Sequence, residues 1–470
     1  RFLAWFPMED SREKSAWLNG GVRLWPFTDA VSEDLPLSRL LRLSLFQISV
    51  GMALVLLVGT LNRVMIVELG VPTSLVAVMV GMPLLFAPFR ALIGFRSDHH
   101  RSQLGWRRVP YIWMGTLLQF GGFAIMPFAL LVLAGWGESQ QAPVWVGHVA
   151  TAMAFLLVGA GLHTTQTAGL ALATDLTTPD KQANVVGFMY VMMLVGMVGS
   201  ALLFGDLLTD FSPARLVQVV QAAALITLVL NTVAMWKQEG RSRHRKPGQG
   251  QDPGFLEAWQ LFTRDADAVR RLWIVALGTL AFSMEDVLLE PYGGEILKSS
   301  VASTTQLTAT LAMGSLIGFA GASRWLSRGA DPFRMAAWGC LFGLPAFMLV
   351  IGAAYAPEPS MWFSAGTFLI GLGAGLFGHG TLTATMNRAS KEQAGLAMGA
   401  WGAAQATAGG LAMALGGILR DLVASISTPW TGYCFVYSIE WVLLLATLWV
   451  MRPLLKPWAS ASISHPHTDF

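Results

Sequence analysis

The chain has 470 residues, 54% of them hydrophobic and 13% charged, with a mean hydropathy of +0.54. So little charge cannot cover the surface of a soluble domain, which excludes that class. The net charge of +3 and the pI near 9.0 do not mark a nucleic-acid binder, because Lys and Arg cluster between apolar runs, where they act as topology signals.

In chain order, the first 39 residues mix Phe2, Trp5, Phe6, Trp17, Trp25 and Phe27 with charges. They read as a segment lying on the membrane interface, with a disordered tail as the alternative. No short apolar core precedes a small-residue cleavage site, so no signal peptide is expected. Apolar runs long enough to cross a bilayer fall at 40–69, 73–95, 109–135, 145–174, 184–205, 214–236, 271–297, 302–326, 333–355, 361–387, 394–419 and 430–452. Twelve spans place both termini on one side, and 26 of the 31 Lys and Arg residues flank or join spans on that side. Positive residues stay cytoplasmic, so both termini are expected there. The Gly-, Pro- and charge-rich stretch 237–270 reads as a cytoplasmic linker. It divides a six-span bundle at 40–236 from a second at 271–452, with a cytoplasmic tail at 453–470. Cys340 and Cys434 sit inside apolar runs and read as small core residues, not a disulfide.

The halves echo each other. Gly59-Thr60-Leu61 with Met65 in span one matches Gly278-Thr279-Leu280 with Met284 in span seven. Gly159-Ala160-Gly161-Leu162 in span four matches Gly373-Ala374-Gly375-Leu376 in span ten.

Three constellations carry chemistry. The loop after span two runs from Arg90 through Gly94 and Asp98 to Gly105, Arg107 and Arg108. It reads as a cytoplasmic latch in which Asp98 pairs with Arg107 or Arg108 or caps a helix end, against plain positive-inside charge. Span seven carries Glu285, Asp286, Glu290, Pro291, Tyr292, Gly293, Gly294 and Glu295. Acids in hydrocarbon are costly unless they face a cavity or a partner. Pro291 with Gly293-Gly294 predicts a helix break there, with Glu290 and Glu295 close to the far surface. Span one offers Asn62, Arg63 and Glu68, and the expected ion pair is Arg63 with Glu285 or Asp286. His163 and His379, each about 18 residues in from the outer side, are candidate axial ligands for the magnesium of a chlorin ring, against ordinary hydrogen-bonded histidines. No nucleotide loop, HExxH motif or Cys/His metal cluster occurs, and nothing indicates an enzyme.

The loop Gly94-x-x-x-Asp98 followed by Gly105-Trp-Arg107-Arg108, although longer than usual, resembles the signature loop of the major facilitator superfamily. Glu285–Glu295, the stretch Gly59–Leu69, Ala87–Asp98 and Gly105–Pro110 together resemble the bacteriochlorophyll-delivery branch, the PucC/LhaA-type proteins of purple photosynthetic bacteria, over about Leu35 to Pro453. That resemblance implies an all-α, twelve-span membrane protein of two pseudo-symmetric six-helix bundles. It implies an assembly factor, or membrane chaperone, for a light-harvesting antenna, the core type being favoured over the peripheral. Bacteriochlorophyll would be the pigment bound or handled. Antenna subunits would be the partners, with pigment-synthesis enzymes or the reaction-centre core complex as further ones, in the bacterial inner, photosynthetic membrane. The small residues of span eleven, Gly395–Gly410, suit either a groove for a partner helix or packing within the bundle, the latter favoured. A proton-coupled small-solute transporter is the rival, because the acids at 285, 286 and 290 fit proton coupling equally well.

Overall fold

The computed structural model describes residues 35–85, 105–135, 143–178, 181–240, 266–326, 328–388 and 394–455, with Ile93, Ser97, Gln141 and Arg264. Twelve helices occur among them: α1 Leu37–Glu68, α2 Thr73–Leu85, α3 Val109–Leu133, α4 Val144–Asp175, α5 Gln182–Leu207, α6 Pro213–Met235, the broken α7 Ala266–Glu295, α8 Val301–Leu326, α9 Pro332–Gly352, α10 Pro359–Arg388, α11 Ala394–Ile426 and α12 Pro429–Met451. Ten are long and apolar enough to cross a membrane. Of the other two, α2 is described only to Leu85, and α8 carries Ser303, Thr304, Thr305, Gln306, Thr308 and Thr310, which lower its hydropathy. The protein is therefore a multi-pass membrane protein. Its surface agrees: Phe128, Trp273, Met348 and Trp449 are 59–74% exposed, which lipid tolerates and water does not.

Helix starts are set locally. Ser212-Pro213, Asp331-Pro332 and Thr428-Pro429 begin α6, α9 and α12, the first residue capping and the proline fixing φ where no backbone donor is needed. Small residues then bring helices together, since lipid supplies no hydrophobic drive between them. A Cβ on Gly161 of α4 would lie 2.5 Å from Gln119 N and Gly115 O of α3. In the second half Gly373 of α10 sits equally tightly on Gly339 of α9. Each of the matched Gly-Ala-Gly-Leu segments thus packs its helix on the third helix of its half, but from different positions: the first glycine does so in α10 and the second in α4, while Gly159 meets Pro83 of α2 and Gly375 meets Ser315 of α8. Gly161→Leu is expected to cost at least 1–3 kcal/mol, order of magnitude, by overpacking; a lowered unfolding midpoint of the purified protein is the readout.

The halves meet along α2–α11 and α5–α8. Toward the far side, opposite the start of α1, four hydrogen bonds tie them: Thr60–Thr305 at 3.2 Å, Asn62 Nδ2 to Val287 O at 2.9 Å, Arg63 Nη2 to Ser299 O at 3.1 Å, and Ser74 N to Asp421 Oδ2 at 2.6 Å. On α11 the tightly packed glycines are Gly416, against Met284 of α7, and Gly417, against Thr73 of α2, whereas within 395–410 Gly402 has open space beside it and Gly409 only ordinary contacts.

Three boundaries differ from the sequence expectation, one of them the end of α11, which runs to Ile426 past the expected 419 and takes in Arg420 and Asp421. Residues 238–239 are packed, not free linker: Gln238 is fully buried, takes the Arg39 guanidinium on Oε1 at 3.1 Å and donates back to Arg39 O. The helix of α7 begins at Ala266, ahead of the expected 271. The expected interfacial segment lies outside the described residues except for 35–39, as does most of the linker and of the C-terminal tail.

Candidate functional site

The centre of the molecule is the break in α7. The α-helix stops at Ala281, Glu285–Val287 form a single 3-10 turn, and a short helix resumes over Leu289–Glu295. The break thus comes one turn before Pro291, not at Pro291 and Gly293-Gly294 as expected. Proline acts backwards: it has no N–H for the carbonyl four residues earlier, and its ring clashes there. That carbonyl is Val287 O, and Asn62 of α1 supplies the missing donor at 2.9 Å. Pro291 itself sits in the first turn of the resumed helix, where a missing N–H costs nothing. The freed Glu285 N–H donates to Glu440 Oε1 of α12 at 2.7 Å. The Glu285 and Glu440 carboxyl groups also lie within hydrogen-bonding reach of each other, both fully enclosed.

Asn62→Leu keeps the volume and removes the donor. Leaving Val287 O unpaired should cost about 1–3 kcal/mol and speed amide hydrogen exchange in Leu289–Glu295. Unchanged exchange there would show that the break does not depend on Asn62.

Arg63 is 3% exposed and does not pair with Glu285 or Asp286. Its Nη1 meets Glu68 Oε1 at 2.5 Å and its Nη2 donates to Ser299 O. The correction has a geometric cause. Two π-helical turns, Val55–Thr60 and Val64–Glu68, flank Leu61–Arg63, and the second puts Glu68 five residues on within reach of Arg63. Gly294 makes the room, since a Cβ there would stand 3.0 Å from Arg63 Nε. Glu290 is not near the far surface either: it is 3% exposed, accepts the Thr308 hydroxyl, and lies against Gly59 of α1, where any Cβ would strike its Oε1. Tyr292 is fully buried among Phe363, Tyr433 and Tyr437, with ring centroids 5.3–5.8 Å away. Glu295 closes the motif by pairing with Arg420 of α11 and accepting from Tyr433 Oη at 2.8 Å. Arg420 also contacts Asp421 at 2.8 Å and stands 4.6 Å above the Tyr433 ring.

The histidines sit elsewhere. His163 on α4 and His379 on α10 lie about 28–30 Å along their helices from the far-side ends, well past the level of the charged cluster. His163 is 7% exposed inside a packed interface. His379 is half-buried against Phe319, ring centroids 4.1 Å apart, and its Nδ1 has no hydrogen-bond partner.

Comparison with known proteins now has a geometry to attach to. A family model described as "PUCC protein" matches residues 60–458. The chain belongs to the PucC family. "Protein PucC" of Rhodovulum sulfidophilum is 62% identical over 407 residues, 86% of this chain and 89% of that one. "Protein PucC" of Rhodobacter capsulatus is 57% identical, over 92% and 95%. Among solved structures, an inward-facing bacterial homologue of the lysosomal transporter Spinster aligns with TM-score 0.62 at 16% identity, over 90% of this chain and 98% of its own. An inward-facing bacterial homologue of the iron transporter ferroportin aligns with TM-score 0.63, also at 16%, over 88% and 97%. These two similarities establish that the PucC-family chain has the major facilitator fold.

On the side where α1 begins, Arg90, Gly94 and Asp98 of the expected latch lie outside the described residues. Gly105, Arg107 and Arg108 are described, and the two arginines have partners that the sequence did not point to. Arg107 Nη2 meets Asp175 Oδ2 at 2.5 Å, Arg108 Nε meets the same oxygen at 3.1 Å, and Arg108 Nη1 donates to Ser97 Oγ at 2.5 Å. Gly105 takes φ +81°, a turn conformation that L side chains avoid. Glu239, just past α6, accepts the backbone N–H groups of Arg107, Arg108 and Val109 at 2.8–3.1 Å and so caps α3 from outside. Sequence reading of this PucC-family chain thus missed Asp175, Glu239, Arg420, Asp421 and Glu440. All but Glu239 carried a signal, as charged residues inside or at the end of apolar runs.

Proposed function

We propose that this PucC-family protein is an assembly factor for a light-harvesting antenna, receiving antenna subunits in the membrane and handling bacteriochlorophyll as they are built. The observation that carries the reading is family membership across nearly the whole chain, at up to 62% identity to proteins named PucC. The site is compatible with it: the far-side ends of the halves are tied by hydrogen bonds from Asn62, Arg63 and Ser74, as suits a molecule that works from within the membrane. In this reading its place is the photosynthetic inner membrane with both termini cytoplasmic, an orientation that the Lys and Arg distribution supports.

Of the two histidines, His379 fits a chlorin better. His163 is enclosed where no macrocycle has room, whereas His379 is half-buried at the edge of α10. Nδ1 of His379 is enclosed and unpartnered, so Nε2 is the nitrogen that would face a magnesium. The pigment itself would supply the bound metal and the long-wavelength absorption. Purification from pigment-replete cells, with an absorption spectrum and identification of co-purifying subunits, tests the reading. Antenna polypeptides are expected in the wild-type preparation, and their identity separates core from peripheral antenna; a preparation without them would overturn the proposal. His379→Phe is expected to lose pigment absorbance while the antenna polypeptides still co-purify.

A further inference from the structure

Between α1, α5, α7, α8, α10 and α11 lies a cavity of about 170 Å³, near the level of the α7 break. Most of its wall is apolar, including Leu54, Leu307 and Met413, and four polar side chains reach it: Asp286, Glu290, Thr308 and Thr367. Glu290 Oε1 is satisfied by Thr308. Glu290 Oε2 and the Thr367 hydroxyl have no hydrogen-bond partner, although the two residues are 3% and 1% exposed. Unpaired buried polar atoms of this kind are costly and call for a partner.

The chemistry of that partner follows from the wall. Two carboxyl groups face an apolar cavity, and no Lys, Arg or His is among the lining residues. Arg63 is the cation that acts on Glu290 from outside the cavity, and its hydrogen bonds go to Glu68 and Ser299. The cavity therefore offers carboxyl and hydroxyl oxygens as acceptors, with no basic side chain among its lining residues. A divalent metal is a poor match: among the described residues no group of three or more His, Cys, Asp or Glu side chains is placed to hold one. An ammonium group matches better, with N–H donors for several acceptors. The volume limits the rest of the molecule, since a dry cavity of about 150 Å³ takes a benzene ring.

We propose that this cavity binds a small organic ammonium ion with an apolar body about one ring in size, its N–H groups donating to Glu290 Oε2, Asp286 and Thr367 Oγ1. Gly59 is part of the site because any larger residue would push Glu290 out of its place. The site does not depend on the antenna-assembly reading, and either can fail without the other.

The test uses the full chain, purified in detergent, with benzylammonium as the probe and benzyl alcohol as its neutral counterpart of the same shape. Saturable binding of benzylammonium is expected, with benzyl alcohol at least about tenfold weaker, the loss expected for a charge-assisted contact. Glu290→Gln should weaken benzylammonium at least about tenfold, and Thr367→Val several-fold. Equal binding of ammonium and alcohol, unchanged affinity in Glu290→Gln, or no saturable binding to the wild type would each overturn the proposal. Thr367 makes no hydrogen bond through its hydroxyl in the structure, so Thr367→Val keeps the fold and carries the test if Glu290→Gln does not purify. An unchanged affinity in Thr367→Val, with the alcohol binding as well as the ammonium, would likewise reject the site.

Discussion

Arg420→Ala is expected to destabilise the far-side end of the molecule by about 3 kcal/mol, the range for removing one partner of a buried ion pair. Arg420 joins three helices: it pairs with Glu295 at the end of α7, touches Asp421 on its own helix, and lies over the Tyr433 ring of α12. Its side chain is 10% exposed, against 30% for Glu295 and 22% for Asp421. Removing the guanidinium leaves two carboxylates facing each other in a half-buried pocket. Asp421 in turn accepts the Ser74 N–H at the start of α2, so the loss reaches the contact between halves. Arg420→Lys keeps the charge but not the fork that serves both carboxylates, nor the planar contact with Tyr433, and is expected to recover only part of the loss. Thermal unfolding of the three proteins in one detergent decides it. If alanine and lysine variants both melt with the wild type, Arg420 is a surface charge.

How far sequence reading reaches is visible in these residues. The helices were legible because hydrocarbon imposes a length and a polarity on every span, and caps such as Ser212-Pro213 and Asp331-Pro332 mark their starts. The importance of 285–295 was legible for the same reason: acids within a span need a cause. Partners were not legible. Glu285 meets Glu440, and Glu295 meets Arg420, across 155 and 125 positions of chain, and no local pattern names a neighbour at that range. The position of the α7 break was recoverable in principle. Proline disturbs the carbonyl four residues before it, so Pro291 pointed at Val287 and not at itself. The pairing of Arg63 was lost to a different effect. A regular helix does not set residues five apart face to face, and only the π-helical turn of α1 brings Glu68 to Arg63.

That pairing gives the second large effect. Arg63 is 3% exposed, and Arg63→Glu would set it against Glu68 and turn an acceptor toward the Ser299 carbonyl, which Arg63 now serves as donor. A loss of about 3–5 kcal/mol is expected, as for an uncompensated buried charge. Adding Glu68→Arg should restore a large part of it, because Glu68 is 38% exposed and its position tolerates a long side chain reaching toward solvent or headgroups. The double variant Arg63→Glu with Glu285→Arg should recover nothing: Glu285 faces Glu440 of α12, and its backbone N–H is already held there. The unfolding midpoints of both single variants and both double variants form two cycles on one protein. Coupling in the Arg63–Glu68 cycle and none in the Arg63–Glu285 cycle is the expected pattern. The reverse pattern would mean that α1 and α7 are joined by a direct ion pair across the halves, and that the hydrogen bonds from Asn62 and Arg63 to backbone carbonyls are secondary to it.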